Sequence, residues 1–204
     1  MKHLKIMGID LAGREENPTG ICILNNHKVT LKSLYTNAEI FKEIKNIKPH
    51  LIVIDAPLSL PKDRCCLEKD CECAVGGHFR QSERKIRSYG SVLPLTFRGM
   101  KMLALRGITL ASDLRGTYNV LEAHPRTTQK ILNLQNPEKE LNKLFKWETT
   151  PSQHELDATL AALTGLLYHE NCHIALGDPV EGIIIIPKNG TCLKKIENQY
   201  KELN

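Results

Sequence analysis

Two strongly apolar runs, each closed by an aspartate, constrain most strongly what this chain can fold into. They span residues 4–10 and 51–55. A strand that is apolar at nearly every position needs cover on both faces, which is typical of a central strand in an α/β sheet. Turn residues and two further strand-like runs, 20–24 and 28–35, come after the first run. Together with the first apolar run, these features predict an antiparallel meander of three strands.

The apolar pattern changes to helical spacing between and after these strands. Residues 38–46 place Ile40, Phe41 and Ile44 on one helix face, and residues 152–168 form the strongest helical pattern of the chain. Strands that alternate with helices predict a mixed α/β sheet, with parallel strands beyond the meander and helices on its faces. The other predicted segments are helices over 81–87, 95–112 and 126–134, a strand over 117–121, and a last strand, at an edge or in a small terminal sheet, over 183–186.

Length and composition are those of an ordinary globular domain. The chain has 204 residues, of which 41% are hydrophobic and 25% charged, so we expect one domain over residues 1–204. Residues 59–78 are irregular and rich in cysteine, and we expect them to form an insert within that domain. No apolar run approaches the roughly 20 residues that span a bilayer. This predicts a cytoplasmic protein with no membrane partner.

Acidic side chains end three of the predicted strands. Asp10, Asp55 and Glu122 each follow an apolar run, and Asp157 lies within the long apolar helix. The strand ends of an open α/β sheet diverge and leave a crevice, in which carboxylates repel each other unless a cation bridges them. Taken singly, each acid could be a cap or a solvated group. Together they predict a magnesium or manganese site that could hydrolyse a phosphodiester bond.

Five short motifs surround these acids. They are GIDLA at 8–12, PTG at 18–20, VIDAPL at 53–58, EAHP at 122–125 and HELDA at 154–158. Together they resemble a family of uncharacterised proteins described as predicted nucleases with a ribonuclease H-like fold, over about residues 4–187. The resemblance implies that fold, and it implies that Asp10, Asp55, Glu122 and Asp157 bind metal as in RuvC-like resolvases and transposases. The cysteine-rich insert is a departure from the family.

The insert also concentrates residues that could hold a structural zinc ion. From Cys66 onward the spacing is C-x4-C-x-C-x4-H, which supplies four ligands of the kind that zinc prefers. These ligands are Cys66, Cys71, Cys73 and His78. Loop thiols or a disulfide pair are the alternatives, because the spacing lacks the C-x2-C pairs of common zinc ribbons. The cytosol keeps cysteines reduced, so three others are expected to fill space as thiols: Cys22, Cys172 and Cys192.

One histidine and three arginines are the remaining candidate site residues. His124 follows Glu122 by two positions, so on an extended chain both side chains point the same way, and the imidazole could move a proton. His154 lies three positions before Asp157 on one helix face and could also move a proton, but a role at the start of its helix is preferred. The net charge of +5 permits a nucleic acid partner without requiring one. The candidate phosphate contacts, which could equally be a solvated helix face, are Arg80, Arg84 and Arg87.

The leading hypothesis is a metal-dependent nuclease acting on DNA or RNA. One rival is an ATP-binding phosphotransferase of the actin and sugar kinase superfamily, because residues 8–10 followed by Thr19 and Gly20 faintly resemble its phosphate-binding hairpin. Those proteins normally duplicate the domain, and 204 residues leave no room for two lobes. The other rival is a non-catalytic nucleic-acid-binding module, which loss of metal binding would favour. A junction-cleaving enzyme would also need a homodimer, which nothing in the sequence visibly encodes.

Overall fold

The computed structural model describes residues 4–26, 28–72, 75, 77–145, 147 and 149–201. Strands and helices alternate along much of this part of the chain, and a helix is its last element. The strands are β1 (Lys5–Asp10), β2 (Thr19–Asn25), β3 (Lys28–Leu34), β4 (Leu51–Asp55), β5 (Val120–Ala123), β6 (His173–Asp178) and β7 (Gly182–Pro187). The helices are α1 (Asn37–Ile47), α2 (Gln81–Ile86), α3 (Arg98–Arg115), α4 (Pro125–Ile131), α5 (Pro137–Phe145), α6 (Gln153–His169) and α7 (Thr191–Lys201).

The strands form one mixed sheet in the order β3-β2-β1-β4-β5-β7-β6. The first three strands are antiparallel neighbours, as the sequence predicts. Strands β1, β4, β5 and β7 run parallel to one another, and β6 pairs antiparallel with β7 at the far edge. The predicted α/β fold class is therefore confirmed.

Both faces of the sheet are covered, and side chains alternate between them along each strand. Ile6 and Val53 pack on one face, in a core formed mainly with α5, α6 and α7. Met7, Ile9 and Ile52 pack on the other face, against α1 and α3. All five are 0% exposed. The alternation follows from the two-residue period of a strand, and the double cover explains why β1 and β4 are apolar almost throughout.

The structure differs from the predicted elements mainly towards the end of the chain. The run 183–186 lies in β7, which is inside the sheet because β6 pairs along its outer side. Strand β6 and helices α5 and α7 were not predicted. Helix α5 carries only two buried apolar side chains, Leu141 and Phe145, so its pattern is too short to stand out in the sequence.

The insert over residues 59–78 contains no α-helix or strand among its described residues. It is organised around Arg64, which is only 7% exposed. The Arg64 guanidinium donates to the carbonyl oxygens of Cys66 at 3.0 Å and Gly77 at 2.8 Å. A buried arginine thus satisfies backbone acceptors that a loop without regular structure would otherwise leave unpaired.

No helix in the described ranges combines the length and the apolar character that crossing a membrane requires.

Cys172 and Cys192 form a disulfide, so the prediction that both are space-filling thiols is wrong. Their Cα atoms are 5.8 Å apart, and 20 positions separate them in the sequence. Cys172 follows α6 and Cys192 lies in the first turn of α7. The bond therefore ties the last helix to the end of the helix that covers the sheet. Sequence reasoning assumed a reducing compartment, and it could not see that the fold brings these two sulfurs together.

Replacing Cys192 with serine is expected to lower the free energy of unfolding by about 3 kcal/mol, because the open chain gains entropy when a loop of this size is released. Urea unfolding of the variant and the native chain checks this. The Cys22→Ser variant is the control for loss of a buried sulfur outside any disulfide. A reducing agent should destabilise the native chain more than Cys192→Ser, which keeps the disulfide of Cys65; equal sensitivity of both would contradict the assignment.

Candidate active site

Asp10 and Asp55 lie side by side at the carboxyl ends of two neighbouring parallel strands. They are paired residues in the β1–β4 register, which runs from Ile6 opposite Leu51 to Asp10 opposite Asp55. The carboxyl ends of adjacent parallel strands open into the crevice where α/β sheets bind ligands. The predicted meeting of these two acids is therefore present in the structure.

Helix α6 reaches the same point because two glycines let it lie unusually close to the sheet. A Cβ atom on Gly20, which pairs with Asp10, would lie 2.0 Å from the carbonyl oxygen of His154. A Cβ atom on Gly8 would lie 2.0 Å from the carbonyl oxygen of Ala158. No side chain fits in either gap. The first turn of α6 is thus held directly against β1 and β2, beside Asp10.

This approach adds His154 and Asp157 to the two strand-end acids. The Nδ1 atom of His154 lies 2.7 Å from Oδ2 of Asp10. Asp157, one helical turn further on, accepts a hydrogen bond from Nε2 of Gln153 at 3.1 Å. Residues three apart share a helix face, and this is the signal in the sequence that could have assigned His154 to the site. From the sequence alone, a role for His154 at the helix start is preferred.

The acids of this cluster hold uncompensated negative charge. Burial raises the pKa of Asp10, and nearby Asp157 raises it further while the hydrogen bond from His154 opposes the change. Burial also raises the pKa of Asp55 well above its usual value, with added repulsion from Asp10 and Asp157. The pKa of Asp157 is likewise raised by burial. A cation bound among these carboxylates would stabilise their ionised forms, which burial and mutual repulsion disfavour.

Arg126 is a positive charge that acts on all three acids, and sequence reasoning missed it. It follows β5 at the start of α4 and is exposed. Its charge lowers the pKa of Asp10, Asp55 and Asp157, which places it in the field of the whole cluster. Its guanidinium forms no salt bridge or hydrogen bond with any described residue, so those donors remain open to a ligand.

Glu122 lies near the same strand ends, but its carboxylate is bonded to Arg80. Arg80 donates from Nη1 to Oε2 of Glu122 at 2.8 Å and also bonds Oε1 through Nη2. The backbone N–H of Leu58 donates to the same Oε2 at 2.9 Å. The structure thus gives Glu122 protein partners on both oxygens, unlike the open metal ligand that the sequence predicts.

The prediction that Arg80 contacts nucleic acid is wrong, because Arg80 is 0% exposed. Its remaining donors bond Glu83, at 3.0 Å from Nε to Oε1, and Ser59, at 2.7 Å from Nη1 to Oγ. All five N–H groups of the guanidinium therefore have protein acceptors. A run of basic residues in the sequence does not reveal that one of them is an internal ion-pair partner.

Arg84 and Arg87, the other predicted phosphate contacts, are exposed on and after α2. The Arg87 guanidinium lies 4.0 Å from the centre of the Phe79 ring, and Arg84 donates to the Phe79 carbonyl oxygen at 3.0 Å. Neither residue lines the cleft that holds the acids. Their role in binding nucleic acid stays a prediction.

His124 lies at the cleft and also caps helix α4. Its Nδ1 accepts a hydrogen bond from the backbone N–H of Thr127 at 3.3 Å. Burial and the neighbouring Arg126 lower the pKa of His124, which favours the neutral ring. Because Nδ1 accepts, the proton of the neutral ring is on Nε2. His124 therefore supplies a hydrogen-bond donor.

The predicted zinc ligands are only partly brought together. The sulfurs of Cys65, Cys66 and Cys71 all lie within 4.8 Å of one another. Cys65 is disulfide-bonded and so offers no thiolate. The Nδ1 atom of His78 is 2.9 Å from the Thr96 hydroxyl, and Cys73 lies outside the described residues. Zinc binding by this group stays a prediction.

The acids open into a cleft of about 440 Å³. Its polar lining includes Asp10, Asp55 and Asp157 with Arg126. Its apolar lining, here called the apolar side of the cleft, includes Ile86, Val92, Leu93, Met100 and Leu103.

No family model matches the sequence, and no curated protein is significantly similar to it. Among solved structures, the fold is similar to that of RuvC from T. thermophilus in complex with a Holliday junction substrate. The TM-score is 0.51 at 12% sequence identity, and the match covers 83% of this chain and 96% of RuvC. This chain has a ribonuclease H-like fold. At this level of identity the ribonuclease H-like similarity establishes the architecture, and membership of the predicted nuclease family stays a prediction.

Proposed function

We propose that this chain is a metal-dependent nuclease that hydrolyses phosphodiester bonds in nucleic acid. The observation that carries the proposal is the cluster of Asp10, Asp55 and Asp157, three acids whose pKa values are all raised and which face one cleft. Similarity to the fold of RuvC supports it, because that protein was solved with a DNA junction as its substrate.

The donor set fits a hard divalent cation. Asp10, Asp55 and Asp157 would hold magnesium or manganese, and His154 would keep the Asp10 carboxylate in place through its hydrogen bond. A cation bound there would lower the pKa of a water molecule and offset charge that develops on the phosphate oxygens. Glu122 would not bind the cation and would support the site by accepting hydrogen bonds from Arg80 and from the backbone N–H of Leu58.

The chain's own residues would supply the rest of the chemistry. The open guanidinium of Arg126 would bind a phosphate oxygen, since a planar array of N–H donors suits that group. Neutral His124, protonated on Nε2, would donate a hydrogen bond to an oxygen of the substrate. The apolar side of the cleft would exclude water around these groups and so strengthen their interactions.

A non-catalytic nucleic-acid-binding module is less consistent with this site. Carboxylates repel phosphate, so a surface that only binds nucleic acid gains nothing by placing three of them in its cleft. The repulsion turns into attraction only when cations lie between the acids and the phosphate. Metal binding is therefore the property that separates the two functions.

Calorimetric titration of the native chain with Mg²⁺ and Mn²⁺ tests the proposal, alongside cleavage of labelled single-stranded, duplex and branched DNA and RNA. We expect saturable metal binding and metal-dependent cleavage, both lost in Asp10→Asn. The Asp113→Asn variant removes one exposed carboxylate on α3 and is the matched control. Metal binding without cleavage of any substrate would reject the nuclease, and absence of both would favour the binding module.

A further inference from the structure

We infer, on the basis of the proposed function, that the substrate is a strand with an unpaired nucleotide next to the scissile bond. In this arrangement the base of that nucleotide packs on the apolar side of the cleft, and its phosphate lies at the acids and Arg126. The proposal names the substrate class that the nuclease site alone leaves open.

The apolar side of the cleft is accessible and needs a covering group. Leu93 is 52% exposed, and with Val92, Met100 and Leu103 it faces the same space as Asp10 and Asp55. A single exposed leucine is common on protein surfaces. Four apolar side chains in one concave cleft with a carboxylate cluster are not, and such sites typically bind a ligand with an apolar and a polar part. A nucleotide has both.

An intact duplex cannot fill this cleft. Its phosphates lie outside and its bases are stacked and paired inside, so a duplex would place phosphate at the acids and leave the apolar side empty. Bringing a paired base out of the stack costs a few kcal/mol, and the cost is least for a base that is already unpaired. The cleft should therefore select bulged, looped or single-stranded nucleotides.

A second cleft explains why the ligand is a strand rather than a free nucleotide. It has a volume of about 460 Å³ and shares Arg126, Gln153 and Asp157 with the first cleft. Beyond these residues it is lined by Gln129, Lys130, Asn133 and Gln135. The positive charges of Arg126 and Lys130 complement the next phosphate along a backbone, and amide side chains can bond its oxygens or the sugar.

Binding rather than cleavage tests the inference. The probe is a short DNA duplex that carries 2-aminopurine either paired or in a one-nucleotide bulge. The protein is the full native chain with Ca²⁺ in place of Mg²⁺, because Ca²⁺ also takes carboxylate ligands but its looser coordination geometry should leave the substrate uncleaved. We expect the Kd of the bulged probe to be about tenfold lower than that of the paired probe. The fluorescence of 2-aminopurine should increase as the base leaves the stack.

Leu93→Ser and Met100→Ser under the same conditions are expected to reduce this preference to less than about twofold, since a polar side chain forfeits the apolar contact with the base. Leu105→Ser is the matched control, because Leu105 is 44% exposed on the same helix as Met100 but does not line the cleft. It should keep the full preference.

Equal binding of the paired and bulged probes would overturn the inference, and so would a preference that survives both serine variants. Competition by a free nucleoside monophosphate as effective as that by the oligonucleotide would overturn the assignment to a strand. Failure of the nuclease proposal has a different signature. The native chain would then cleave no substrate, whereas the bulge preference and its loss in Leu93→Ser would persist.

Discussion

Arg80→Met is expected to lower the free energy of unfolding by about 3 to 5 kcal/mol, which is the usual cost of removing one partner of a buried ion pair. Arg80 is fully buried and bonds both Glu83 and Glu122, which are 5% exposed. Burial raises the pKa of Glu122, and the Arg80 guanidinium is what opposes that change. Without it, two carboxylates would share a buried site with no cation.

Urea unfolding of the native chain and the variant measures the loss. Arg84→Met is the matched control, because Arg84 is an exposed arginine on the adjacent helix, and we expect it to change stability by less than about 0.5 kcal/mol. Adding Glu83→Gln and Glu122→Gln to Arg80→Met should restore part of the stability, since the amides remove the stranded charges. A similar small effect of Arg80→Met and Arg84→Met would show that the ion-pair network is not structural.

Asp55→Asn is expected to have opposite effects on activity and on stability. Cleavage should fall about a thousandfold or more, equivalent to roughly 4 kcal/mol of activation free energy, because a central metal ligand is lost. The metal-free protein should become more stable, on the order of 1 kcal/mol for each unit of pKa perturbation removed. The reason is that Asp55 is buried beside Asp10 and Asp157, and all three repel one another.

The pH dependence of the free energy of unfolding is a second measure of the ionisation of Asp55. Because the pKa of Asp55 is raised in the folded chain, the folded state keeps this proton where the unfolded chain has lost it. The free energy of unfolding of the metal-free protein should therefore fall as pH rises above about 4, the ordinary aspartate value. This fall should be smaller in Asp55→Asn and unchanged in Asp113→Asn.

Manganese should reverse the order of stability. A ligand that binds only the folded state adds about 2.7 kcal/mol at a hundred times its Kd, so the native chain should be stabilised and Asp55→Asn should not. Thermal or urea unfolding with and without the ion measures this. Equal stabilisation of both proteins would place the metal site elsewhere.

The sheet and two of its acids could be predicted because they depend on local patterns. A strand buried on both faces has to be apolar, so β1 and β4 are visible in the sequence, and parallel pairing then brings Asp10 and Asp55 together. Asp157 was found because it interrupts an apolar helix. These conclusions need only the periods of strands and helices and the rule that ligands gather at strand ends.

The parts that could not be predicted depend on which distant segments meet. The bond between Arg80 and Glu122 joins residues 42 positions apart, and the one between His154 and Asp10 joins residues 144 apart. A charged residue looks the same in a sequence whether it is solvated or paired in the interior. Strand β6 was missed for a related reason, because none of its residues is fully buried and only its pairing with β7 supports it.

The close packing of α6 against β1 and β2 also determines when the site can form during synthesis of the chain. Asp10 and Asp55 leave the ribosome early, but His154 and Asp157 belong to a helix that begins at residue 153. Until that helix has emerged and docked in the space left by Gly8 and Gly20, the growing chain has strand-end acids without their partners. If the site is a nuclease, a translating or truncated chain cannot cut the messenger that encodes it, and cleavage is confined to molecules that have finished folding.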